Sequence, residues 1–506
     1  MTSAPENGPA GQPAPRTILR PGGVITQPDW PTDRTVRSVH VVRIGGAGMS
    51  AVARLALEAG LTVSGSDSQD GQFIAPLRDA GARIGIGFDA ALLDEALDLV
   101  IVSTAVRADN PEVLEARRRG IPVIHRAAAL AGLLLGRDLL AVAGTHGKTT
   151  TTGMAVTALR GGGHDPAWAL GAAVPDLGRN AGLGADPAVA GADHELAVVE
   201  ADESDGSFLA FSPRVLVVTN LEPDHLDFHG DAATLAAAFD AVAAQIVPGG
   251  TLVVCADDPG ARALGERAAA RGCDVLLYGM AEDARWRLRA EHSGPLGAEI
   301  ELDTPGGPLA VSLSVTGHHN VLNAVGALAA AAVASGTSQP ERLAQGLGGF
   351  TGASRRFDVA GTAGGVTVVD DYAHHPREVA AAIAAARGIV QAQPHPGRVL
   401  AALQPHLFSR TRDFAEDFAA ALSAADRAWV LPVYAAREDP DPSVDARTIT
   451  SSAPDSVTAL SEDAQLLEAV TDEARPGDLL LMLGAGDIVE MTPALMRALD
   501  EHEDRR

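Results

Sequence analysis

The stretch Ala141-Val-Ala-Gly-Thr-His-Gly-Lys-Thr-Thr150 decides the fold of the middle of this 506-residue chain. An apolar strand runs into a glycine-containing loop, which is followed by Lys148, Thr149 and a helix, and this is the layout of a phosphate-binding P-loop. Lys148 is the only lysine among 39 lysine and arginine residues. A lysine ammonium is a compact charge that reaches the β- and γ-phosphates of a nucleotide, which the broad guanidinium group of arginine does poorly. The alternative is a surface lysine left over in an arginine-rich chain.

The glycines of this loop are spaced differently from the usual P-loop pattern, which has glycine where Val142 stands. Here Gly144 and Gly147 supply the backbone freedom. Amide groups at the start of the following helix point at a phosphate, and the hydroxyl of Thr149 is placed to bind Mg²⁺. The residues predicted to bind ATP in this loop are Gly144, Thr145, His146, Gly147, Lys148, Thr149 and Thr150.

The composition limits the classes of function. The net charge is 39 − 65 = −26, which argues against nonspecific binding to nucleic acid or to an anionic membrane. Cys255 and Cys273 do not have the spacing of metal ligands and are interpreted as reduced thiols of a cytosolic protein. No apolar run is long enough to span a membrane, and we expect neither a signal peptide nor membrane insertion. The sequence therefore predicts a cytoplasmic protein.

Short β-branched runs alternate with alanine-rich helical stretches, which predicts an α/β fold. Three domains are expected: an N-terminal Rossmann-like domain, a central P-loop domain and a C-terminal Rossmann-like domain. The predicted boundaries are 1–33 for a disordered extension rich in Pro, Gly and Ala, 34–137, 138–350, and 351–506. Strands are predicted at Ser38–Ile44, Leu61–Ser66, Leu99–Ser103, Ile121–His125, Ala197–Glu200, Val215–Asn220, Thr251–Ala256, Gly365–Asp370, Arg398–Leu403, Ala428–Val433 and Asp478–Leu483.

A second candidate nucleotide loop, Gly45-Gly-Ala-Gly-Met-Ser50, follows the first predicted strand. It leads into a helix, and Asp67 comes about 20 residues later, as in a dinucleotide-binding turn. Ala51 replaces the third glycine of that pattern. Three readings stay open: a turn without a ligand, a redox Rossmann domain, and a site for a nucleotide-sugar. The nucleotide-sugar reading would use Gly45, Gly46, Ala47, Gly48, Met49, Ser50 and Asp67.

Polar residues at two strand ends predict a metal site. Glu200 ends an apolar strand beside the expected P-loop, where a carboxylate suits Mg²⁺ next to Thr149. His225 follows the adjacent strand and is available to a second metal or a phosphate. The roles of the nearby acids stay open between metal ligands, outer-shell groups and solvated side chains, and these acids are Asp202, Glu203, Asp205, Glu222, Asp224 and Asp227.

Two amides are predicted to share one face of a helix that begins near Gly317. Asn320 and Asn323 are three residues apart, and together they could bind the edge of an adenine ring. The alternative is that one asparagine caps the helix.

In their order and spacing, these motifs resemble those of the ADP-forming Mur ligases of peptidoglycan synthesis, and most closely those of the alanine-adding members. The resemblance covers nearly all of the chain after its N-terminal extension. The motifs that carry it are Gly-Gly-Ala-Gly-Met-Ser (45–50), Gly-Thr-His-Gly-Lys-Thr-Thr (144–150), Glu-Ala-Asp-Glu-Ser-Asp (200–205), Thr-Asn-Leu-Glu-Pro-Asp-His (219–225), His-Asn-Val-Leu-Asn (319–323), Arg-Arg-Phe (355–357), Asp-Asp-Tyr-Ala-His-His-Pro (370–376), Gln-Pro-His (404–406) and Gly-Ala-Gly-Asp (484–487).

The resemblance implies that the chain uses ATP and Mg²⁺ to join L-alanine to UDP-N-acetylmuramate through an acyl phosphate. The N-terminal domain would then hold UDP-N-acetylmuramate. The implied catalytic residues are Lys148, Glu200, His225 and His375. The implied metal ligands are Thr149, Glu200 and His225. The residues implied to contact ATP outside the P-loop are His319, Asn320, Asn323, Arg356 and Asp371. The residues implied to lie near the amino acid or the muramyl carboxylate are His375, His406 and Arg410.

The chain departs from this family in two ways. Some members carry a carbamylated lysine that helps to hold Mg²⁺, which a chain with a single lysine in its P-loop cannot have, and Asp240 is the nearest candidate replacement. Many alanine-adding members have arginine where this chain has Leu407. The role of that arginine would pass to Arg410, Arg412 or Arg437. Two other functions stay open: a ligase that recycles a tripeptide onto UDP-N-acetylmuramate, and a nucleotide-binding regulator without catalysis.

Overall fold

Three successive α/β sheets form the chain in the computed structural model, as the alternation of strands and helices predicts. No helix in the described part is long and apolar enough to cross a membrane. The structure describes residues 17–20, 23–26, 30–184, 195–224, 226–294, 297–337, 339–352, 357–393, 397–435 and 438–503.

The first sheet has five parallel strands arranged around Ser38–Val42, which pairs with Thr62–Asp67 on one side and Leu99–Val102 on the other. This strand order, with helices as crossovers, is that of a Rossmann-like domain. The outer strands are Arg83–Ile86 and Val123–His125. The helices are Ala47–Glu58, Ile74–Asp79, Pro111–Arg119 and Arg126–Leu133, with a 3₁₀ turn at Ala90–Leu92.

The second sheet has ten strands, and the P-loop strand Asp138–Ala143 lies between Leu196–Glu200 and Val215–Val218, parallel to both. The carboxyl ends of these three strands therefore meet beside the P-loop. The other strands are Ala167–Val174, Arg179–Gly182, Thr251–Cys255, Asp274–Gly279, Trp286–Gly294, Gly297–Thr304 and Gly307–Leu313. The helices are Lys148–Gly161, Leu226–His229, Ala232–Ala243, Pro259–Ala270, His318–Ser335 and Glu341–Leu347, with 3₁₀ turns at Pro175–Leu177 and Ser207–Ala210.

The third sheet has six strands, with Leu479–Leu483 between Val366–Asp371 and Val399–Leu403. Only the edge strand Asp358–Ala363 is antiparallel to its neighbour among the described strands of this sheet. The remaining strands are Arg427–Val430 and Val457–Ala459. The helices are Pro376–Gln391, Phe408–Asp413, Ala415–Leu422, Ala446–Thr450, Gln465–Glu473 and Thr492–Glu503, with a 3₁₀ turn at Ile488–Met491.

Within the stretch 1–33, which was predicted to be a disordered extension, the structure describes two short strands and the residues from Trp30 onward. Thr17–Arg20 pairs antiparallel with Gly23–Thr26, and Trp30 packs against the core of the first domain. The two short strands are rich in β-branched residues, which favour extended pairing over disorder. The rest of the extension up to residue 29 lies outside the described residues.

Candidate active site between the middle and third domains

The P-loop backbone approaches its neighbours too closely for any residue but glycine at two positions. Gly144 has φ +130°, and a Cβ there would lie 2.1 Å from the Thr219 hydroxyl. Gly147 has φ +81°, directly precedes the helix Lys148–Gly161, and a Cβ there would lie 2.6 Å from Oδ1 of Asn323. These positive φ angles are accessible to glycine at little cost, which explains why glycines stand here and not at Val142.

The ammonium group of Lys148 is enclosed by three acceptors. Its Nζ donates to the carbonyl oxygens of Gly144 (2.8 Å) and Thr145 (3.1 Å) and to Oε1 of Glu203 (2.8 Å). Burial disfavours the charge on Lys148, but Glu203 and Asp202 outweigh burial and raise the pKa of Lys148. Burial likewise raises the pKa of Glu203 to about 7, although Lys148 acts in the opposite direction. The lysine and Glu203 thus form a buried ion pair.

A cavity of about 740 Å³ opens between the P-loop and the third domain. Its volume lies in the usual range for a small-molecule site. Several residues predicted to bind ATP line it, namely His146, Gly147, Thr149, Thr150, His319, Asn320, Asn323 and Asp371. Gly144, Thr145 and Lys148 belong to the same loop but do not line the cavity wall, because the lysine is turned toward Glu203. The sequence did not single out Arg377 and Glu378, which the third domain contributes to the wall.

The two asparagines do share a face of the helix His318–Ser335, and they are connected. Asn323 Nδ2 lies 3.4 Å from Asn320 Oδ1, and Asn320 Nδ2 donates to the Thr316 carbonyl oxygen at 2.9 Å. Asn323 also packs against Gly147. The pair therefore lies against the P-loop, and Asn320 reaches back to the residue before Gly317. Burial lowers the pKa of His319 beside them.

The candidate metal ligands are only partly described. Glu200 Oε2 accepts a hydrogen bond from Gly171 N at 2.7 Å, and Thr149 is buried. His225 lies outside the described residues. Within the described ranges, no three His, Cys, Asp or Glu side chains are grouped to hold a metal ion.

Asp240 does not replace the carbamylated lysine. Its carboxylate pairs with Arg267 (2.9 Å) and Arg271 (3.0 Å) on the neighbouring helix Pro259–Ala270 and just beyond it. The sequence placed Asp240 near the site only by its position in the chain. In the structure, the carboxylate forms ion pairs with two nearby arginine side chains instead.

The loop Gly45–Ser50 begins the helix Ala47–Glu58, as predicted, but its side chains serve the fold. Asp67 accepts hydrogen bonds from the amides of Gly45 (2.8 Å) and Ser68 (2.7 Å). The carboxylate that was predicted to contact a nucleotide-sugar therefore stabilises the turn itself. Met49 is buried in the apolar core, and Ser50 Oγ accepts from Asn180 Nδ2 at 2.9 Å. Met49 and Ser50 therefore do not present their side chains to a UDP-sugar.

A smaller cavity of about 80 Å³ lies where this loop meets the middle domain. Gly48, Glu200 and Arg126 line it. Arg126 pairs with Asp202 at 2.7 Å and lies 3.7 Å from Asp205. The sequence analysis missed Arg126. Asp202 and Asp205 were a signal in the sequence for a nearby cation, since carboxylates that are withdrawn from water require one.

The third domain brings a histidine to the boundary with the P-loop. His375 caps the helix Pro376–Gln391, since its Nδ1 accepts from Arg377 N at 3.4 Å, and Glu378 completes the capping box. Its ring centroid lies 5.7 Å from that of His146, and His146 Nδ1 lies 3.3 Å from Glu378. Burial lowers the pKa of His375, and burial lowers that of His374 to about 4. Both imidazoles are therefore neutral near pH 7.

Two charged pairs join the same domains. Arg410 lies 3.6 Å from Asp224 in a buried ion pair, and Arg377 pairs with Glu222. His406, predicted near the amino acid, stacks on Tyr434 with the ring centroids 5.8 Å apart. Glu222 and Asp224, whose roles the sequence left open, thus bind the third domain.

Leu407 lies in the protein interior, and the carboxylate of Asp371, which lines the large cavity, also binds backbone amides. Leu407 is 2% exposed and has φ +72° at the start of the helix Phe408–Asp413. Asp371 accepts from the amides of Phe357 (2.8 Å) and Ala373 (2.7 Å). Arg412 pairs at the surface with Asp413 and Asp441, and Arg356 and Arg437 lie outside the described residues. Of the two described arginines considered to replace the one missing at 407, Arg410 lies at the domain boundary and Arg412 does not.

A P-loop domain between two Rossmann-like domains, with the nucleotide cavity closed by the third of them, defines the class of three-domain ATP-dependent ligases. Comparison with known families agrees domain by domain. Residues 38–137 match the Mur ligase family catalytic domain, 142–331 the Mur ligase middle domain, and 355–486 the Mur ligase glutamate ligase domain. The chain belongs to the Mur ligase family.

Individual relatives match over almost their whole length. UDP-N-acetylmuramate--L-alanine ligases from Mycobacterium sp. (strain JLS) and Arthrobacter sp. (strain FB24) are 45% and 48% identical, covering 94% and 91% of this chain and 98% and 95% of theirs. The crystal structure of UDP-N-acetylmuramate-alanine ligase from Thermotoga maritima is similar with a TM-score of 0.75, 27% identity and coverage of 93% of this chain and 100% of that one. A murein peptide ligase from Psychrobacter arcticus gives 0.70, 25%, 92% and 99%.

Proposed function

We propose that this chain joins L-alanine to UDP-N-acetylmuramate, with conversion of ATP to ADP and phosphate, as a step of peptidoglycan precursor synthesis. The observation that carries the proposal is the shared cavity, in which P-loop residues of the middle domain face Asp371, Arg377 and Glu378 of the third. Relatives named for this reaction match the chain nearly end to end. With nucleotide substrates and two free cysteines, we place the reaction in the cytoplasm.

The first step activates a carboxylate, which is a poor electrophile for an amine. A carboxylate oxygen of UDP-N-acetylmuramate attacks the γ-phosphorus of ATP, the new O–P bond forms, and the bond to the bridging oxygen of ADP breaks. Lys148 would neutralise the developing charge on the phosphate oxygens. Thr149 and Glu200, with His225, would hold Mg²⁺, which supplies further charge neutralisation when it is bound.

The second step forms the amide. The amine of L-alanine attacks the acyl carbon, the C–N bond forms, the bond to the phosphate breaks, and the amine proton goes to the departing phosphate. The sequence suggested His375 as a proton acceptor. However, Nδ1 accepts a hydrogen bond from Arg377 N, which favours the neutral form with its proton on Nε2. His375 Nε2 is buried and has no hydrogen-bond partner among the residues that the structure describes. We therefore assign Nε2–H as a donor to a substrate oxygen.

The binding sites follow the domains. ATP would occupy the large cavity against His319, Asn320 and Asn323. UDP-N-acetylmuramate would lie against the turn Gly45–Gly48 and the small cavity beside Arg126. L-alanine would lie near His375, His406 and Arg410. The enclosed position between domains would exclude water from the acyl phosphate.

A ligation assay tests the proposal. The purified chain is incubated with UDP-N-acetylmuramate, ATP and Mg²⁺ together with L-alanine, L-serine, glycine or a peptidoglycan tripeptide, and ADP and the UDP-linked product are measured. L-alanine should be the preferred acceptor substrate. Preference for the tripeptide would favour the recycling ligase, whose solved structure is also similar. ATP binding without turnover on any acceptor would leave only a regulatory function.

A further inference from the structure

The ammonium group of Lys148 uses all of its hydrogen-bond donors on protein acceptors. It has three N–H groups, and its three acceptors are the carbonyl oxygens of Gly144 and Thr145 and the carboxylate of Glu203. A phosphate oxygen can be bound by Lys148 only if one of these acceptors is released. The two carbonyl groups belong to the backbone of the P-loop. With the Lys148 side chain in place, their release would therefore require the loop to change shape.

Glu203 is the acceptor that can be released by a change in side-chain torsions alone. Its backbone is fixed, because its carbonyl oxygen accepts from Gly206 N at 3.0 Å and lies 2.8 Å from His229 Nε2. It follows the strand Leu196–Glu200 and reaches Lys148 from outside the P-loop. A carboxylate and a phosphate are both anions, and both would need an N–H group of the same ammonium.

We infer that Glu203 is a positioning residue that holds the ammonium group of Lys148 and competes with the nucleotide phosphate for it. The inference rests on the proposed ATP-dependent function. The pair is largely buried, with Glu203 1% and Lys148 13% exposed at their side chains. Removing one partner of a buried ion pair leaves the other charge uncompensated, which is costly. Glu203 therefore stabilises the buried charge of Lys148, and a bound phosphate would stabilise this charge in its place.

The substitution Glu203→Gln tests this exchange, since it removes the charge at nearly constant size. Isothermal titration with Mg²⁺ and ATP should give a dissociation constant about tenfold lower than that of the wild type, because the phosphate no longer displaces an anion. The melting temperature of the empty variant should fall, and saturating ATP should restore most of the loss. A residue that only supports the fold would lower both melting temperatures equally and leave ATP affinity unchanged.

Asp205→Asn is the matched control. Asp205 is a buried carboxylate two residues away that contacts Thr104 at 3.0 Å and Arg126 at 3.7 Å instead of Lys148. This variant should bind ATP as the wild type does. If Glu203→Gln fails to fold, Glu203→Asp, which withdraws the carboxylate, should still tighten ATP binding. Unchanged or weaker ATP binding in the Glu203 variants would overturn the inference. Failure of the wild type itself to bind ATP would instead overturn the proposed function.

Discussion

The guanidinium group of Arg410 lies 3.6 Å from the carboxylate of Asp224, and their side chains are 6% and 5% exposed. Arg410 belongs to the third domain, and Asp224 follows the strand Val215–Val218 of the middle domain. Two charges withdrawn from water stay favourable only when they face each other. The pair therefore fixes the third domain over the P-loop, at the place where its histidines meet His146.

Asp224→Asn should open the boundary between these domains, because it leaves the cation of Arg410 buried without its anion. We expect kcat/KM for ligation to fall at least about tenfold, given the several kcal/mol that such a break can cost. Small-angle scattering should show a larger radius of gyration. Arg412→Met is the control, since Arg412 is exposed and pairs only at the surface. An unchanged radius of gyration in Asp224→Asn would count against a role in domain contact.

Lys148→Arg should abolish ligation while leaving the fold intact. The ammonium group is enclosed by two loop carbonyls and Glu203, and the wider guanidinium group cannot adopt that position. Lost stabilisation of the γ-phosphate should reduce kcat by on the order of 10²-fold or more. Arg160→Lys, at the end of the same helix, exchanges the same residue types at the surface and should be neutral. Near-wild-type turnover of Lys148→Arg would refute the role of the lysine.

Glu200→Gln should raise the Mg²⁺ concentration required for half-maximal rate, because the proposed site loses a charged metal ligand. The KM for UDP-N-acetylmuramate should change much less. The measurement is a series of initial rates across Mg²⁺ concentrations at saturating substrates. Glu195→Gln, at the opposite end of the same strand, is the control. The same Mg²⁺ response in both variants would argue that Glu200 does not bind the metal.

Gly48→Val should raise the KM for UDP-N-acetylmuramate and leave ATP binding nearly unchanged. A Cβ at Gly48 would lie 2.3 Å from Nη1 of Arg126, so the side chain would push Arg126 off Asp202 and narrow the small cavity. Gly71→Val is the control, because a Cβ there meets no atom within 4 Å. Calorimetric titration of each nucleotide separates the two sites. Weakened ATP binding with intact UDP-sugar binding would contradict the assignment of the first domain.

His374 should make stability fall in mild acid. Burial lowers its pKa from the usual 6.5 to about 4. As pH falls below 6.5, the unfolded chain takes up a proton that the folded chain refuses until about pH 4. The free energy of unfolding should therefore drop between these values, by up to about 3 kcal/mol. His374→Gln should flatten this dependence and the exposed control His292→Gln should not. Equal slopes in wild type and His374→Gln would exclude His374 as the cause.

Local patterns in the sequence were enough to predict the sheets and the loops. The runs around Ser38–Val42 and Leu196–Glu200 are apolar and β-branched, and glycines follow two of the predicted strands, so strand, turn and helix could be placed by local rules. The antiparallel strands from Trp286 to Leu313 were missed, because they form an edge that is polar on one face and lack a motif.

Partners of charged side chains could not be predicted in this way. Asp240 was a candidate metal ligand in the sequence, but its carboxylate pairs with Arg267 and Arg271. The sequence likewise gave no partner for Asp224, which pairs with Arg410. Such pairs join residues far apart in sequence, and one chain carries no local signal of which distant charge is the partner. The contact between Glu203 and Lys148 was likewise not predicted, and it is visible only in the structure.

The single lysine also has a chemical consequence. Apart from the amino terminus, the Nζ of Lys148 is the only primary amine in the chain. Among side chains, a reagent selective for primary amines would therefore label only the P-loop lysine. Its labelling rate would measure how often the ion pair with Glu203 opens, and protection by nucleotide would be read from one modified peptide. Lys148 can therefore serve as a chemical probe of the candidate site without any engineered residue.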